Sequence, residues 1–407
     1  MKVRFPIVLI QTSKMVDHTI FFCYNYFNIG SDLMTYLDYS STTPMSFDAI
    51  DTYVKVSKEY IGSISSNNTV GIKVKDMLKS TTKEISDMFN ILDSEIIYTN
   101  GATEANNMAL IGASLANRKN GKHIIVSRLE HQSIYTICEY LETLGFEISY
   151  VKNDEEGLVS FEDLKNLIRE DTILVSICAV NHETGVRQPL KMLRQIIKKE
   201  NELIIFHSDL SQALGKTIVN FKDIDLGSVS AHKIYGPKGI GFLYKNSMVK
   251  IVPLLYGNNK NPMFKPGEIS LPLVVSMKDA IKASIKDLDK KERYVNILND
   301  RIVDKLSKIE GIKINKTKYS IPHILNISFE KLSGETMSNT LSNKEFYVNC
   351  NNNSEISSSV MAIYNDLERS KRTLRISLSH LTTVLEINRF LETFEVEYNK
   401  LINLIGR

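Results

Sequence analysis

From Tyr36 to about residue 260 the chain alternates short apolar runs with stretches of helical periodicity, and this alternation restricts its fold more than any other feature. Apolar runs bounded by turn residues fall at Glu95–Thr99, His123–Ser127, Glu147–Val151, Thr172–Val180 and Leu203–His207. Between them, Val70–Asn90 sets Val74, Met77, Leu78, Ile85, Met88 and Phe89 at helical spacing. Glu104–Arg118, Gln132–Leu144, Phe161–Ile168 and Leu190–Glu200 are further helical segments. Strands joined through helices run parallel, and a parallel sheet needs helices on both faces, so the pattern predicts an α/β fold with a mostly parallel sheet. Ligands of such sheets bind at the carboxyl ends of the strands.

After about residue 260 the pattern changes. Leu271–Ile309 reads as one long helix or two. Short strands follow at Ile312–Ile314, His323–Ser328, Phe346–Val348 and Thr373–Ser377, and a last helix spans Val384–Ile402. The expected organisation is a large domain over 34–260 and a smaller α+β domain over 261–407, with residues 34–50 able to pack against the small one. Residues 1–33 read as an extension, disordered or not native, which makes Met34 the functional start. Their apolar run Phe5–Ile10 is broken by Pro6 and is shorter than a signal segment requires.

Composition narrows the function. Of 407 residues, 50 are basic and 47 acidic, mixed along the chain, which argues against nucleic acid as a partner. No apolar run reaches the ~18 residues of a membrane helix. Cys23, Cys138, Cys178 and Cys350 are widely spaced without a CxxC. That excludes a disulfide scaffold or zinc finger, predicts no metal, and fits a reducing cytoplasm.

Three clusters fall where strands should end. Asn100-Gly-Ala-Thr-Glu104 opens a helix with free N–H groups and the Thr103 hydroxyl, either a phosphate cradle or an ordinary capped start. His207-Ser-Asp-Leu-Ser-Gln212 places Asp209 just past a buried run. An acid there is either paired with a protonated ring nitrogen or acts as a helix cap. Ser230-Ala-His-Lys-Ile-Tyr-Gly-Pro-Lys-Gly-Ile-Gly241 sets Lys233 beside His232 before an apolar strand, where a lysine can take an aldehyde; Lys238 suits a solvated position. A phosphate cradle, a partner for a ring nitrogen and an amine are the set that pyridoxal 5'-phosphate requires.

The chain resembles class V (fold-type I) pyridoxal-phosphate enzymes, and among them the NifS-like cysteine desulfurases. The resemblance runs from about Tyr36 to the C-terminus. It is carried by Tyr36-Leu-Asp-Tyr-Ser-Ser-Thr-Thr-Pro44, Thr99-Asn-Gly-Ala-Thr-Glu104, Glu130-His131 and Val180-Asn-His-Glu-Thr-Gly-Val186. The two clusters around Asp209 and Lys233 and Leu374-Arg-Ile-Ser-Leu378 complete it. It implies a seven-stranded-type sheet and a homodimer. The implied reaction converts L-cysteine to L-alanine and passes persulfide sulfur to an acceptor or iron–sulfur scaffold protein. By the same resemblance, Lys233 binds the cofactor covalently, Asp209 pairs with the pyridinium, and Gln212 reaches the phenolic oxygen. His131 stacks on the ring and handles protons. Thr103, Ser230, His232 and the N–H groups of Gly101 and Ala102 hold the phosphate. Asn181 lies beside cofactor and substrate, and Arg375 takes the substrate carboxylate.

Departures from the family are equally specific. Desulfurases carry a nucleophilic cysteine on a small-domain loop, and without gaps that position is Ser354 here, with Cys350 four residues earlier. A hydroxyl cannot take sulfane sulfur as a thiolate does. Cys350 can serve only if an Asn-rich loop swings it inward. The turn at Gly62–Asn68 lacks the family's Asn, Pro and His, and Lys265-Pro-Gly-Glu268 replaces Arg-Ser-Gly-Thr at the expected dimer interface. Glu268 would repel the partner's phosphate unless it turns away. The alternatives left open are a selenocysteine or sulfinate lyase, a β-eliminating lyase or aminotransferase, and a degenerate non-catalytic partner.

Overall fold

The computed structural model describes residues 34–257, 265–350 and 356–405, so the expected extension over 1–33 and Ser354 lie outside the described residues. In chain order come β1 (Thr35–Tyr36), α1 (Phe47–Glu59), α2 (Thr69–Phe89), β2 (Ile96–Thr99), α3 (Ala102–Asn117), β3 (His123–Ser127) and α4 (Gln132–Thr143). Then follow β4 (Glu147–Val151), α5 (Phe161–Leu167), β5 (Thr172–Ser176), α6 (Leu190–Glu200), β6 (Ile205–Asp209), β7 (Leu226–Ser230) and β8 (Gly241–Lys245). The second half contains α7 (Leu271–Ile285), α8 (Leu288–Leu306), β9 (Ile312–Ile314), β10 (Ile324–Phe329), α9 (Gly334–Ser342) and β11 (Phe346–Tyr347). It closes with β12 (Asn349–Cys350), α10 (Ser358–Tyr364), α11 (Leu367–Lys371), β13 (Thr373–Ser377) and α12 (Val384–Ile405).

The large sheet has seven strands in the order β2-β8-β7-β6-β5-β3-β4. Only β8 runs antiparallel to its neighbours. Strands β3, β5, β6, β7 and β8 are buried along their whole length, as a sheet covered on both faces demands. Phe206 is fully buried at its centre, and truncating it to alanine would cost about 3–5 kcal/mol. Strand β7 has no apolar run to announce it. Its Ser228 is tolerated inside because the hydroxyl pairs with the buried His207 Nε2 at 3.1 Å.

The predicted helix over Leu271–Ile309 is two helices, broken where Asp287 adopts a left-handed φ of 52°. The first, α7, sends Val274, Met277 and Ile281 into the core of the large sheet, whereas α8 packs Val295, Leu298 and Ile302 into a separate small core. That core lies on the antiparallel sheet β12-β13-β10-β9. The N-terminal strand β1 pairs with β11, Thr35 against Phe346 and Tyr36 against Tyr347, and Leu37 enters the small core. No helix among the described residues is long and apolar enough to cross a membrane.

Candidate active site

The ends of β2 and β7 and the start of β8 converge. Gly101 caps α3 with a φ of 145°, and a Cβ there would stand 3.3 Å from Ser230 Oγ. Gly241 is packed so closely that a Cβ would lie 2.2 Å from Val229 O and 2.9 Å from the Gly101 Cα. The first-turn N–H groups of α3 therefore stay open, have no acceptor within the helix, and sit at the positive end of its dipole. With the hydroxyls of Ser230 and the exposed Thr103 they suit a phosphate. His232 pairs through Nδ1 with Thr42 Oγ1 at 3.1 Å. Burial, with the charges of Lys233, Lys238 and Lys216, lowers its pKa to about 4, so it is a neutral imidazole.

Asp209 ends β6. Burial opposes its ionisation, but hydrogen bonds from Asn106 Nδ2 and Ser211 N, each 2.9 Å, and the charge of Lys233 overcome it and hold the carboxyl below its usual value. Lys233 lies in the short turn after β7. Burial lowers its pKa most; Asp209 and Asp38 oppose that shift and Arg375 adds to it. Lys233 Nζ, half-buried, has no hydrogen bond or ion pair among the described residues. A half-buried amine without a partner beside an ionised buried acid and an open amide cradle fits pyridoxal 5'-phosphate. The turn is held under backbone strain: Tyr235 has φ 65°, its N–H donates to Thr43 Oγ1 at 2.7 Å, and its hydroxyl pairs with Ser379 at 2.6 Å.

His131 caps α4. Its Nδ1 accepts from Ser133 N at 3.1 Å, so the neutral ring carries its hydrogen on Nε2. Burial lowers its basicity, Asp209 raises it, and Lys233 and Arg375 lower it further. Its ring meets His182 edge to face, centroids 5.2 Å apart. Asn106 links this histidine to the acid, since Nδ2 donates both to Asp209 and to Ser133 Oγ at 3.1 Å. The sequence reading missed Asn106; its only signal is an inward position one turn after Thr103. Asn181 is fully engaged by protein. Its Nδ2 donates to Leu129 O and Ser359 Oγ, and its Oδ1 accepts from Glu183 N and Thr184. It ties the 181–185 turn to α10 and has no hydrogen left for a ligand. Gln212 donates from Nε2 to Ser40 O at 2.7 Å, and its Oε1 accepts from Lys216 Nζ.

Arg375 projects from β13. Its η nitrogens donate to Asp38 Oδ1 at 2.9 Å, Ser41 Oγ at 2.7 Å and His182 O at 3.0 Å, while the buried Nε has no partner. Asp38 and Ser41 were missed as site residues, although both lie inside the Tyr36–Pro44 motif. Arg375, Ser41, His182, Asn326, Asn349 and Cys350 line a cavity of about 270 Å³. A larger cleft of about 1410 Å³ opens beside it and shares His182 and Glu183, but neither Lys233 nor Asp209 lines it.

Cys350 lies on a strand. In β12 it pairs with Leu374, while Asn349 pairs with Arg375, so Cys350 packs half-buried on the small core and still borders the cavity at Arg375. Burial, with Glu335 and Asp38, raises its thiol pKa despite Ser338. Cys178 is buried and raised well above its ordinary value, and Cys138 is pushed up to about 12, both chiefly by burial. Glu268 accepts from Ser63 Oγ at 2.8 Å and Ile64 N at 2.9 Å, so the two departures from the family pattern are joined: the acid fastens the altered turn. Lys265 pairs with Glu104 at 2.8 Å.

The family model for aminotransferase class-V matches residues 35–390. Cysteine desulfurase IscS of Methanosarcina thermophila is 35% identical over 377 residues, covering 91% of this chain and 93% of that protein. The IscS of Dictyoglomus turgidum is 34% identical and covers 90% and 95%. A solved NifS-like protein aligns with a TM-score of 0.86 at 29% identity over 90% of this chain and all of that one. The NifS-like protein of Rickettsia africae aligns at 0.81 with 25% identity, covering 90% and 99%.

Proposed function

We propose, from the premise that the chain belongs to the aminotransferase class-V family and is a pyridoxal-phosphate-dependent enzyme of the cysteine desulfurase type, how its own residues divide that work. The cradle of Gly101, Ala102, Thr103, Ser230 and His232 holds the phosphate. Asp209, kept ionised, holds a proton on the ring nitrogen, and Gln212 faces the ring oxygen. Bound there, the cofactor supplies an electron sink for charge developing at the substrate α-carbon. Lys233, whose ammonium form is disfavoured by burial and by Arg375, takes the aldehyde and afterwards moves the α-proton. His131 stays neutral and passes protons at Nε2. Arg375 is pre-set by Asp38 and Ser41 to receive the substrate carboxylate.

The observation that carries this reading is the half-buried Lys233 amine, without a hydrogen bond or ion pair, beside ionised Asp209. Reconstituted protein should show a visible cofactor band and release sulfide from L-cysteine in the presence of a thiol reductant. A band that survives Lys233→Ala would refute the assignment.

A second reading concerns the sulfur step, and the strand-held position and raised pKa of Cys350 favour it. Sulfur leaves the substrate when a thiolate forms an S–S bond and the Cβ–S bond breaks, its electron pair and a proton remaining on what becomes alanine. Cys350, strand-held with a raised pKa, is a poor attacker. An external thiol, on an acceptor protein or a small molecule, takes the sulfur directly. Sulfide release that is independent of added thiol would exclude this. An iron–sulfur scaffold is one such acceptor, and a homodimer is the expected assembly.

A further inference from the structure

Lys216 lies in the turn after Gln212 and is 6% exposed. Its Nζ donates to Gln212 Oε1, and it forms no ion pair among the described residues. Burial, then the charges of Lys233 and Arg375, lower its pKa to about 7. His232 and His323 feel its charge in turn. Thus Lys233, Arg375, His232 and His323 are the titratable groups around it, and none is an acid that would explain why an amine is buried here.

Gln212 explains it. A carbonyl oxygen only accepts and an ammonium only donates, so Lys216 on Oε1 and Ser40 O on Nε2, at 2.7 Å, fix which way the amide faces. One Nε2 hydrogen goes to Ser40 and the second has no acceptor among the described residues. When Lys216 is protonated, its charge at Oε1 polarises the amide and makes the remaining N–H a stronger donor. We infer that Lys216 is a positioning residue for the cofactor: it locks and polarises the Gln212 amide so that an N–H, not the oxygen, meets the ring oxygen. The inference rests on the role proposed above for Gln212. The simpler role, closing the turn, is already met by backbone, since Lys216 N donates to Ala213 O at 3.1 Å.

An N–H given to the ring oxygen stabilises its anionic form, so losing it makes that oxygen hold the neighbouring proton more tightly. The test follows the visible absorption of the full chain, reconstituted with pyridoxal 5'-phosphate, as a function of pH. Lys216→Met should raise the titration midpoint by about half a unit or more. Lys216→Gln, which keeps a donor without the charge, should fall between, and it carries the test if the methionine variant fails to fold by circular dichroism. In a Gln212→Leu background, Lys216→Met should add no further shift. An unmoved midpoint in the Lys216 variants, while Gln212→Leu alone shifts it, overturns the inference and leaves the site reading intact. A Lys216 shift that persists without Gln212 also overturns it, because the lysine would then act by charge alone. If Gln212→Leu itself moves nothing, the site reading falls and the inference with it.

Discussion

Around Lys233 an ionised acid, two neutral imidazoles and a partnerless amine are packed together with little access to water. The acid and the imidazoles are each held from a different element: Asn106 on α3 holds Asp209, Ser133 on α4 holds His131, and Thr42 in the loop after β1 holds His232. Around Cys350 the backbone is equally well paired, yet the half-buried thiol packs on an apolar core and its pKa is raised. The two regions show that a reactive group needs its surroundings more than its identity. Lys233 is activated by what burial withholds from it, and the same burial silences Cys350.

Five measurements bear on this contrast, from the largest expected effect to the smallest. Lys233→Ala should lower turnover about 10³-fold or more and abolish the visible cofactor band; retained turnover would break the contrast at its stronger end. Arg375→Lys loses the fork geometry and releases Asp38, so KM for the amino acid should rise about tenfold or more, read from steady-state kinetics.

Glu130 sharpens the electrostatic side. Burial raises its pKa to about 8 despite hydrogen bonds from Ser127 and the Cys178 N–H, and its Oε2 has no partner. The folded state therefore binds its proton more tightly than the unfolded chain does. Its contribution to stability is full below the ordinary pKa near 4.5 and is lost as pH rises through about 8. Glu130→Gln should flatten that decline in urea unfolding measured at pH 5 and pH 8; an unchanged slope would show that Glu130 is ionised throughout.

Cys350→Ala should change sulfide release by less than about twofold, because the thiol is strand-held and its raised pKa keeps it protonated. A large loss would mean that β12 detaches and the contrast between the two regions dissolves in solution. Ser354→Cys, which restores a thiol at the family position, should raise thiol-independent sulfur transfer instead.

Much of the molecule was legible in the chain. Apolar runs located β3 and β4 to the residue, and shifted β6 by two residues because Ser208 and Asp209 are polar yet buried. Strand β7 stayed hidden among its serines, and the reading of Leu271–Ile309 as one helix or two left the break at Asp287 unplaced. Lys233 and Asp209 announced themselves because each is a charged residue beside an otherwise apolar run, which physics tolerates only with a partner or a ligand, whereas Arg375 was legible only through the family resemblance of Leu374-Arg-Ile-Ser-Leu378.

The sequence by itself determined the parallel sheet, the strand-end motifs and the residue types needed for a phosphate, an aldehyde and a carboxylate, since periodicity and local turn chemistry act over a few residues. Only the tertiary structure decided which groups meet. Asn106 bridging acid and histidine, Asp38 pre-setting Arg375, Lys216 reaching Gln212, Glu268 fastening the Ser63 turn and Cys350 packing on the small core all depend on three-dimensional packing. Burial and hydrogen bonding set the protonation state of each group there, and neither is written in local sequence.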